Sequence, residues 1–312
     1  LKNKKRKVFE KRIFERKFMS KQKANLYCLL TAVIWGGGFV ATEMGLDSFT
    51  PFAFLLLRFA GGAVLAWIPV LLHHEKITKQ ALKIGTISGV LLYLAFAFQT
   101  FGLERTTTGM NAFLTAVNVI CVPFIVWILY RKKPDPIVFA AAVICLIGIG
   151  CLSLSSGSFS LNAGDWLTLV CAVLFAGQIV SLSKAGSASA TVINAVQLSV
   201  AALCALPFGL TTTWPSHLEG SAILSVLYSI VLATFVCYWL QTTAQQYTSP
   251  AACSILLGTE SLWGNLFGFL ILHEAKTPIM IVGGLLIFAS VLLVEAAPAI
   301  EAFLARKRVR QA

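Results

Sequence analysis

Apolar residues run along this chain in blocks of about twenty, each closed by a short cluster of turn formers. A helix needs about 20 apolar residues to cross roughly 30 Å of hydrocarbon. On that scale the pattern predicts an all-α integral membrane protein of ten transmembrane helices. They lie near 24–45, 50–72, 84–103, 107–130, 136–154, 164–184, 190–211, 221–243, 249–272 and 277–297. The clusters Ser48-Phe49-Thr50-Pro51, Lys133-Pro134-Asp135-Pro136, Ser155-Ser156-Gly157-Ser158 and Trp214-Pro215-Ser216 mark turns between them.

Composition agrees. Of 312 residues, 57% are apolar and 12% charged, about half the charge of an ordinary soluble domain. The net charge of +12 comes from basic residues that flank the apolar spans, a placement that suits a membrane and argues against nucleic acid. Residues 1–23 hold eleven Lys/Arg. The same side receives Lys76, Lys79, Lys83, Arg131, Lys132, Lys133, Lys184, Arg306, Lys307, Arg308 and Arg310, the other only Arg105 and Lys276. The positive-inside rule therefore predicts both termini in the cytoplasm, with a lipid bilayer as surroundings. Residues 1–18 precede Met19 and read as an upstream extension of the reading frame. The run from Ala24 to Gly45 is too long for a cleaved leader and no A-x-A site follows it. The eight cysteines fall in or beside apolar spans, where free Cys acts as a small hydrophobe, so no disulfide is expected.

The chain also repeats itself. Ala32-Val33-Ile34-Trp35-Gly36-Gly37 returns as Ala172-Val173-Leu174-Phe175-Ala176-Gly177, 140 residues on. Gln99-Thr100 returns as Gln241-Thr242, Thr106 as Thr248 and Pro136-Ile137 as Pro278-Ile279, all at an offset of 142, and Arg58 stands opposite Gln197. Helices 1–5 thus correspond to helices 6–10. Because five is odd, the second copy enters the membrane from the opposite side, giving the inverted repeats common in secondary transporters. The domain reading is a basic tail (1–23), a first repeat (24–154), a second repeat (164–297) and a basic tail (298–312).

Several of these residues resemble the EamA-type drug/metabolite transporters: Trp35-Gly36, Arg58, Thr106-Thr107-Thr108-Gly109, Gly164-Asp165, and Thr248-Ser249-Pro250 leading to Glu260 and Glu274. The resemblance covers about residues 24–297. It implies ten helices in two EamA repeats, a bacterial-type plasma membrane and transport of small metabolites, with helices 1, 3, 4, 6, 8 and 9 around a central cavity. Two positions depart from it. Glu260 is followed by Ser261 where many members have Glu-Pro, which takes away the residue that would kink helix 9. Tyr130-Arg131-Lys132 replaces the Gly-Glu that often ends helix 4.

Polar groups in hydrocarbon need partners, and those within the spans are the candidate site. Asn111, Thr115 and Asn118 form a stripe on helix 4; they contact substrate or join neighbouring helices, at about 0.6 kcal/mol per contact. Glu260 is the repeat partner of Asn118. An ionised carboxylate at mid-span costs at least about 2.5–3.5 kcal/mol on insertion scales, so it must be paired, hydrated or protonated; proton coupling and cation recognition are both open to it. Arg58, about eight residues or ~12 Å from the outer end of helix 2, either snorkels outward or binds an anionic group. Helix 8 carries Thr234, Tyr238, Gln241 and Gln245 on one face with Trp239 adjacent, helix 1 offers Trp35 and helix 6 offers Gln178. Aromatics with amides suit amphipathic organic solutes or cations. Gly36, Gly37 and Gly38 permit close helix packing or form a hinge. Glu43 sits at the outer end of helix 1.

Other chemistry is set aside. No G-x-x-x-x-G-K-[ST] loop occurs. His73-His74 and His273-Glu274 sit at helix ends, where adjacent residues point apart. Asp47, Asp135 and Asp165 lie at span ends, Asp165 as a cap for helix 6. No enzyme activity, metal or cofactor is expected. The leading expectation is a secondary transporter moving a small organic solute by alternating access, with proton coupling through Glu260. A non-transporting membrane subunit or sensor, a lipid-acting protein and a channel are the alternatives.

Overall fold

A computed structural model describes residues 19–106, 108–131, 133, 135–153, 161–272 and 277–311. Among these, every regular element is a helix. The expected turn at Ser155–Ser158, the His273-Glu274 pair, Lys132, Thr107, Lys276 and the basic stretch before Met19 lie outside the described residues.

The first helices are α1 (Lys21–Leu46), α2 (Pro51–Leu72) and α3 (Lys79–Leu103). α4 is broken into Thr108–Ala116 and Asn118–Tyr130, and α5 (Pro136–Ser153) follows. α6 (Ala163–Leu182) and α7 (Ala190–Thr211) come next. α8 runs through Gly220–Tyr228, a π-helical stretch Ser229–Val236 and Cys237–Ala244. α9 is broken into Pro250–Gly258 and Glu260–Leu272, and α10 (Pro278–Gln311) continues well past its apolar stretch. Hydroxyl side chains start several of them. Ser20, Thr50, Thr78, Ser189 and Ser249 each accept a hydrogen bond from the backbone N–H three residues on, which satisfies a donor the first turn leaves free. α6 differs from the sequence expectation: Asn162 is the cap and Asp165 its capping-box partner. One Asp165 oxygen accepts from the Asn162 N–H (2.7 Å) and the other from Thr106 Oγ1 (2.6 Å).

Among the described residues, eight helices are long and apolar enough to cross a membrane; the apolar stretches in α5 (Pro136–Cys151) and α10 (Pro278–Val294) are shorter. The molecule is apolar outside and polar at its centre. Leu72, Ile128, Leu203, Leu224 and Leu285 are exposed on the outer faces, while Arg58, Asn111, Gln178, Gln197, Gln241 and Glu260 are buried. Water would reverse that arrangement; hydrocarbon favours it.

Helix contacts come in pairs that interconvert when five is added to a helix number. α3 packs on α6 and α7, as α8 packs on α1 and α2; α4 packs on α6 as α9 packs on α1. α2–α7 and α5–α10 map onto themselves. Small residues set the closest approaches. A Cβ on Gly36 would lie 2.5 Å from Trp263 Cβ and 2.7 Å from the Gly264 nitrogen, and one on Gly89 would lie 2.6 Å from the Gln197 carbonyl oxygen. The Gly36 contact is the packing role open to it from the sequence.

Candidate functional site

Seven helices put side chains around one central cavity of about 60 Å³, room for a few waters. α1 contributes Trp35, Phe39 and Thr42; α2, Arg58; α3, Phe96 and Gln99. α4 adds Thr115 and Asn118, α6 Phe175 and Gln178, α8 Tyr238 and Gln241, and α9 Leu257 and Glu260.

The two helix breaks bear directly on it. In α4 the interruption falls at Val117 and in α9 at Thr259, 142 residues apart, so each break precedes the same repeat position, Asn118 or Glu260. At both, the backbone tightens to a bond three residues back: Val117 N–H to the Leu114 carbonyl (3.2 Å) and Thr259 N–H to the Leu256 carbonyl (3.3 Å). Pro123, which lacks an N–H, lies in the second segment of α4. α9 breaks without a proline. There the Thr259 hydroxyl donates to the Leu256 carbonyl at 2.7 Å, a back-bond of the kind that bends helices. The departure at Ser261 therefore does not leave α9 continuous.

Glu260 is buried, faces the cavity and, among the described residues, has no cation within ion-pair distance. Arg58 is buried on the same cavity. Its Nε donates to Thr234 Oγ1 (3.2 Å) and its guanidinium carbon lies 4.1 Å from the Phe96 ring centre. Phe96 thus supplies a cation–π contact in place of a carboxylate. Of the two readings open from the sequence, the structure points Arg58 inward. The cavity holds one carboxylate and one guanidinium, each without a counter-charge from the described residues.

Aromatic rings form one wall. Trp35 and Tyr238 have ring centres 5.2 Å apart, and Phe96 stands edge-on to Phe175 at 5.2 Å. Trp35 is held by its Nε1, which donates to the Ala233 carbonyl (2.8 Å). Ala233 belongs to the π-helical stretch, whose wider turns loosen the regular ladder and leave carbonyls for side-chain donors. The Phe235 carbonyl likewise accepts from Asn194 Nδ2 (3.4 Å). The Tyr238 hydroxyl is buried and, among the described residues, has no hydrogen-bond partner.

Amides close another side. Gln241 Nε2 donates to Gln178 Oε1 (3.3 Å) and Gln178 Nε2 to Gln197 Oε1 (3.3 Å). Gln197 Nε2 donates to Thr242 Oγ1 (3.1 Å) and Asn194 Oδ1 (3.0 Å). Gln99 Nε2 donates to Thr115 Oγ1 (3.1 Å).

Of the residues singled out from the sequence, Trp35, Arg58, Thr115, Asn118, Gln178, Tyr238, Gln241 and Glu260 share this cavity, while Thr234 accepts from Arg58 Nε and Gln245 Nε2 donates to the Ile179 carbonyl. Asn111 does not line the cavity. Its Nδ2 donates to the Gln99 carbonyl (3.1 Å) and Thr168 Oγ1 (2.9 Å), tying α3, α4 and α6 together behind the wall. Trp239 faces away too, with Nε1 3.4 Å from Thr191 Oγ1 and its ring 6.4 Å from Tyr27. Phe96, Phe175, Gln99 and the Gln197–Asn194 pair were not singled out as site residues. Gln99 carried a signal in its repeat register with Gln241, Phe175 in its register with Trp35 and Gln197 in its register with Arg58; Phe96 carried none, being an ordinary apolar position. Among the described residues no group of three or more His, Cys, Asp or Glu is arranged to hold a metal.

Comparison with known proteins places this architecture. A model described as the EamA-like transporter family matches residues 22–154 and again 162–296. An uncharacterized transporter from Archaeoglobus fulgidus is 33% identical over 272 residues, spanning 87% of this chain and 85% of that protein. A solved crystal structure at 18% identity superposes with a TM-score of 0.74 over 88% of this chain and 98% of that one, a likeness of fold.

Proposed function

The chain belongs to the EamA-like transporter family, and on that premise we propose that it is a secondary transporter moving a small organic metabolite by alternating access. In this reading ten spans form two inverted five-helix repeats in the plasma (inner) membrane, with both termini cytoplasmic. The exchange of helix contacts on adding five supports the repeats, and the Lys/Arg bias supports the orientation. Inversion gives each half the other's conformation to adopt, so that two oppositely open states lie close in energy.

The observation that carries the proposal is the cavity itself, in which Glu260 and Arg58 are buried together with no ion pair among the described residues. A buried charge kept unpaired costs stability unless a ligand or a proton completes it. Beside Trp35 and Tyr238, those charges suit an amphipathic cationic or zwitterionic solute, an amino acid or related compound or a drug. Thr115, Asn118, Gln178 and Gln241 supply the hydrogen bonds, while Asn111 and Trp239 support the wall from behind. Glu260 is the coupling residue, binding a proton and solute alternately. Substrate entry must widen the cavity.

The test is uptake and counterflow of a metabolite panel in reconstituted vesicles, with and without a pH gradient. Saturable flux, stimulated by the gradient, is expected. Glu260→Gln should retain expression and lower flux at least about tenfold, the loss of one charge-assisted contact. Flux equal to empty vesicles across the panel would overturn the transporter reading; full gradient-driven flux in Glu260→Gln would overturn the assignment of coupling.

A further inference from the structure

A second cavity, of about 470 Å³, lies on the outside of the bundle between α3, α4 and the end of α6. Its walls are apolar and open to the bilayer, with Ile87 and Leu129 exposed. One end is different. Lys83 and Lys184 line it with Gln80 and Tyr130. Gln80 Nε2 donates to the Lys184 carbonyl (2.7 Å), and Lys184 Nζ lies 3.6 Å from the Tyr130 ring centre. These contacts hold the turn after α6 so that its ammonium stays at the groove. Among the described residues no carboxylate is within ion-pair distance of either lysine.

The repeat register shows that this charge is not needed to build such a groove. A third cavity, of about 330 Å³, lies between α1, α8 and α9. Its Phe267 and Ile271 stand 142 residues after Ile125 and Leu129 of the first groove, and Gly37 stands 140 before Gly177. At the same offsets Lys83 becomes Ser225 and Lys184 becomes Met44. The Ser225 hydroxyl is turned inward, donating to the Ala41 carbonyl. Among the described residues, then, two grooves of one design differ in that only one has a cationic end.

We infer that the α3–α4–α6 groove binds an anionic phospholipid, with an acyl chain along the apolar wall and the phosphodiester at Lys83 and Lys184. Basic pockets between transmembrane helices recognise acidic headgroups in this way, and a polar end on a lipid-filled groove is the geometry a single lipid requires. The lipid wedges against Gly177, where α6 presents no side chain and the nearest atoms a Cβ would meet belong to Leu91, at 3.5 Å. The inference concerns a site outside the central cavity and does not depend on what that cavity carries.

The test is native mass spectrometry of the full chain in nanodiscs made from equal parts phosphatidylglycerol and phosphatidylcholine. Wild type should retain phosphatidylglycerol over phosphatidylcholine by about tenfold. Lys83→Gln with Lys184→Gln should lose that preference, whereas Arg131→Gln with Lys133→Gln, which removes equal charge in the stretch just after Tyr130, should keep it. Either lysine changed singly should give an intermediate ratio, which serves if the double variant fails to fold. Equal retention of both lipids by wild type would overturn the inference. So would an unchanged preference in the lysine variants, or an equal loss in the Arg131/Lys133 control, which would make the attraction diffuse.

Discussion

α4 and α9 are interrupted at equivalent points, and there the likeness stops. Past the break α4 presents Asn118 to the cavity and α9 presents Glu260. The side chains at the breaks differ as well: Thr259 adds a hydroxyl back-bond in α9, whereas Val117 in α4 has no hydroxyl to add one. Unrelated local chemistry therefore reaches a common backbone form, while the group delivered to the cavity is neutral in one half and ionisable in the other. The same division runs through the second helices, where Arg58 answers Gln197. The halves share a scaffold and divide the chemistry: a cation and two amides, Gln99 and Asn118, from the first, a carboxylate and a glutamine network from the second.

The sharpest way to break that picture is at the close packing that holds α1 on α9. The repeat gives Ala176 where α1 has Gly36, and Gly177 where it has Gly37. Gly36→Val would force atoms into the Trp263 and Gly264 backbone, which cannot yield as a side chain can. A loss of about 3 kcal/mol or more is expected, seen as a lower Tm in detergent and poor accumulation. Gly177→Ala meets nothing nearer than 3.5 Å and should stay within about 0.5 kcal/mol of wild type. Equal tolerance at the two sites would mean that the α1–α9 contact at Gly36 is no tighter than the α3–α6 contact at Gly177.

A smaller effect is expected from the network. Gln197→Leu removes hydrogen bonds to Gln178, Thr242 and Asn194 at once. At about 0.6 kcal/mol for each contact in a membrane, the sum is roughly 2 kcal/mol, again read as Tm. A stability unchanged by Gln197→Leu would show that the second half's amides serve the cavity alone.

Much of this was legible beforehand, for a definable reason. Span positions follow from hydrocarbon thickness, so α2, read as 50–72, is found at Pro51–Leu72. The register of the repeat also placed Glu260 opposite Asn118. Direction within a helix was harder to read. Asn111 shares a stripe with Thr115 and Asn118, but a stripe is broad, and its upper end turns to Thr168 on α6. Trp239 follows Tyr238 by one residue, about 100° of rotation, enough to take it from the cavity to Thr191. Backbone irregularity was least visible. Nothing in Ser229–Val236 marks a π-helix, because its wider turns are completed by donors from α1 and α7, remote in sequence.

The finest test of the comparison is Asn118→Ala. The Asn118 side-chain oxygen is buried with no hydrogen-bond partner among the described residues, so truncating it breaks no such bond at that atom, and stability should stay within about 0.5 kcal/mol. Flux should fall only severalfold, about one neutral hydrogen bond to substrate, and should keep its response to a pH gradient. Glu260→Gln at the equivalent position should lose that response. If both variants instead lost it alike, the two positions would act as one symmetric pair, and coupling could not be assigned to the second half alone. If Asn118→Ala left flux untouched, α4 would reach the cavity as lining, with Thr115 its only working polar group. A modest fall with the gradient response intact is the outcome that a shared scaffold with divided chemistry requires.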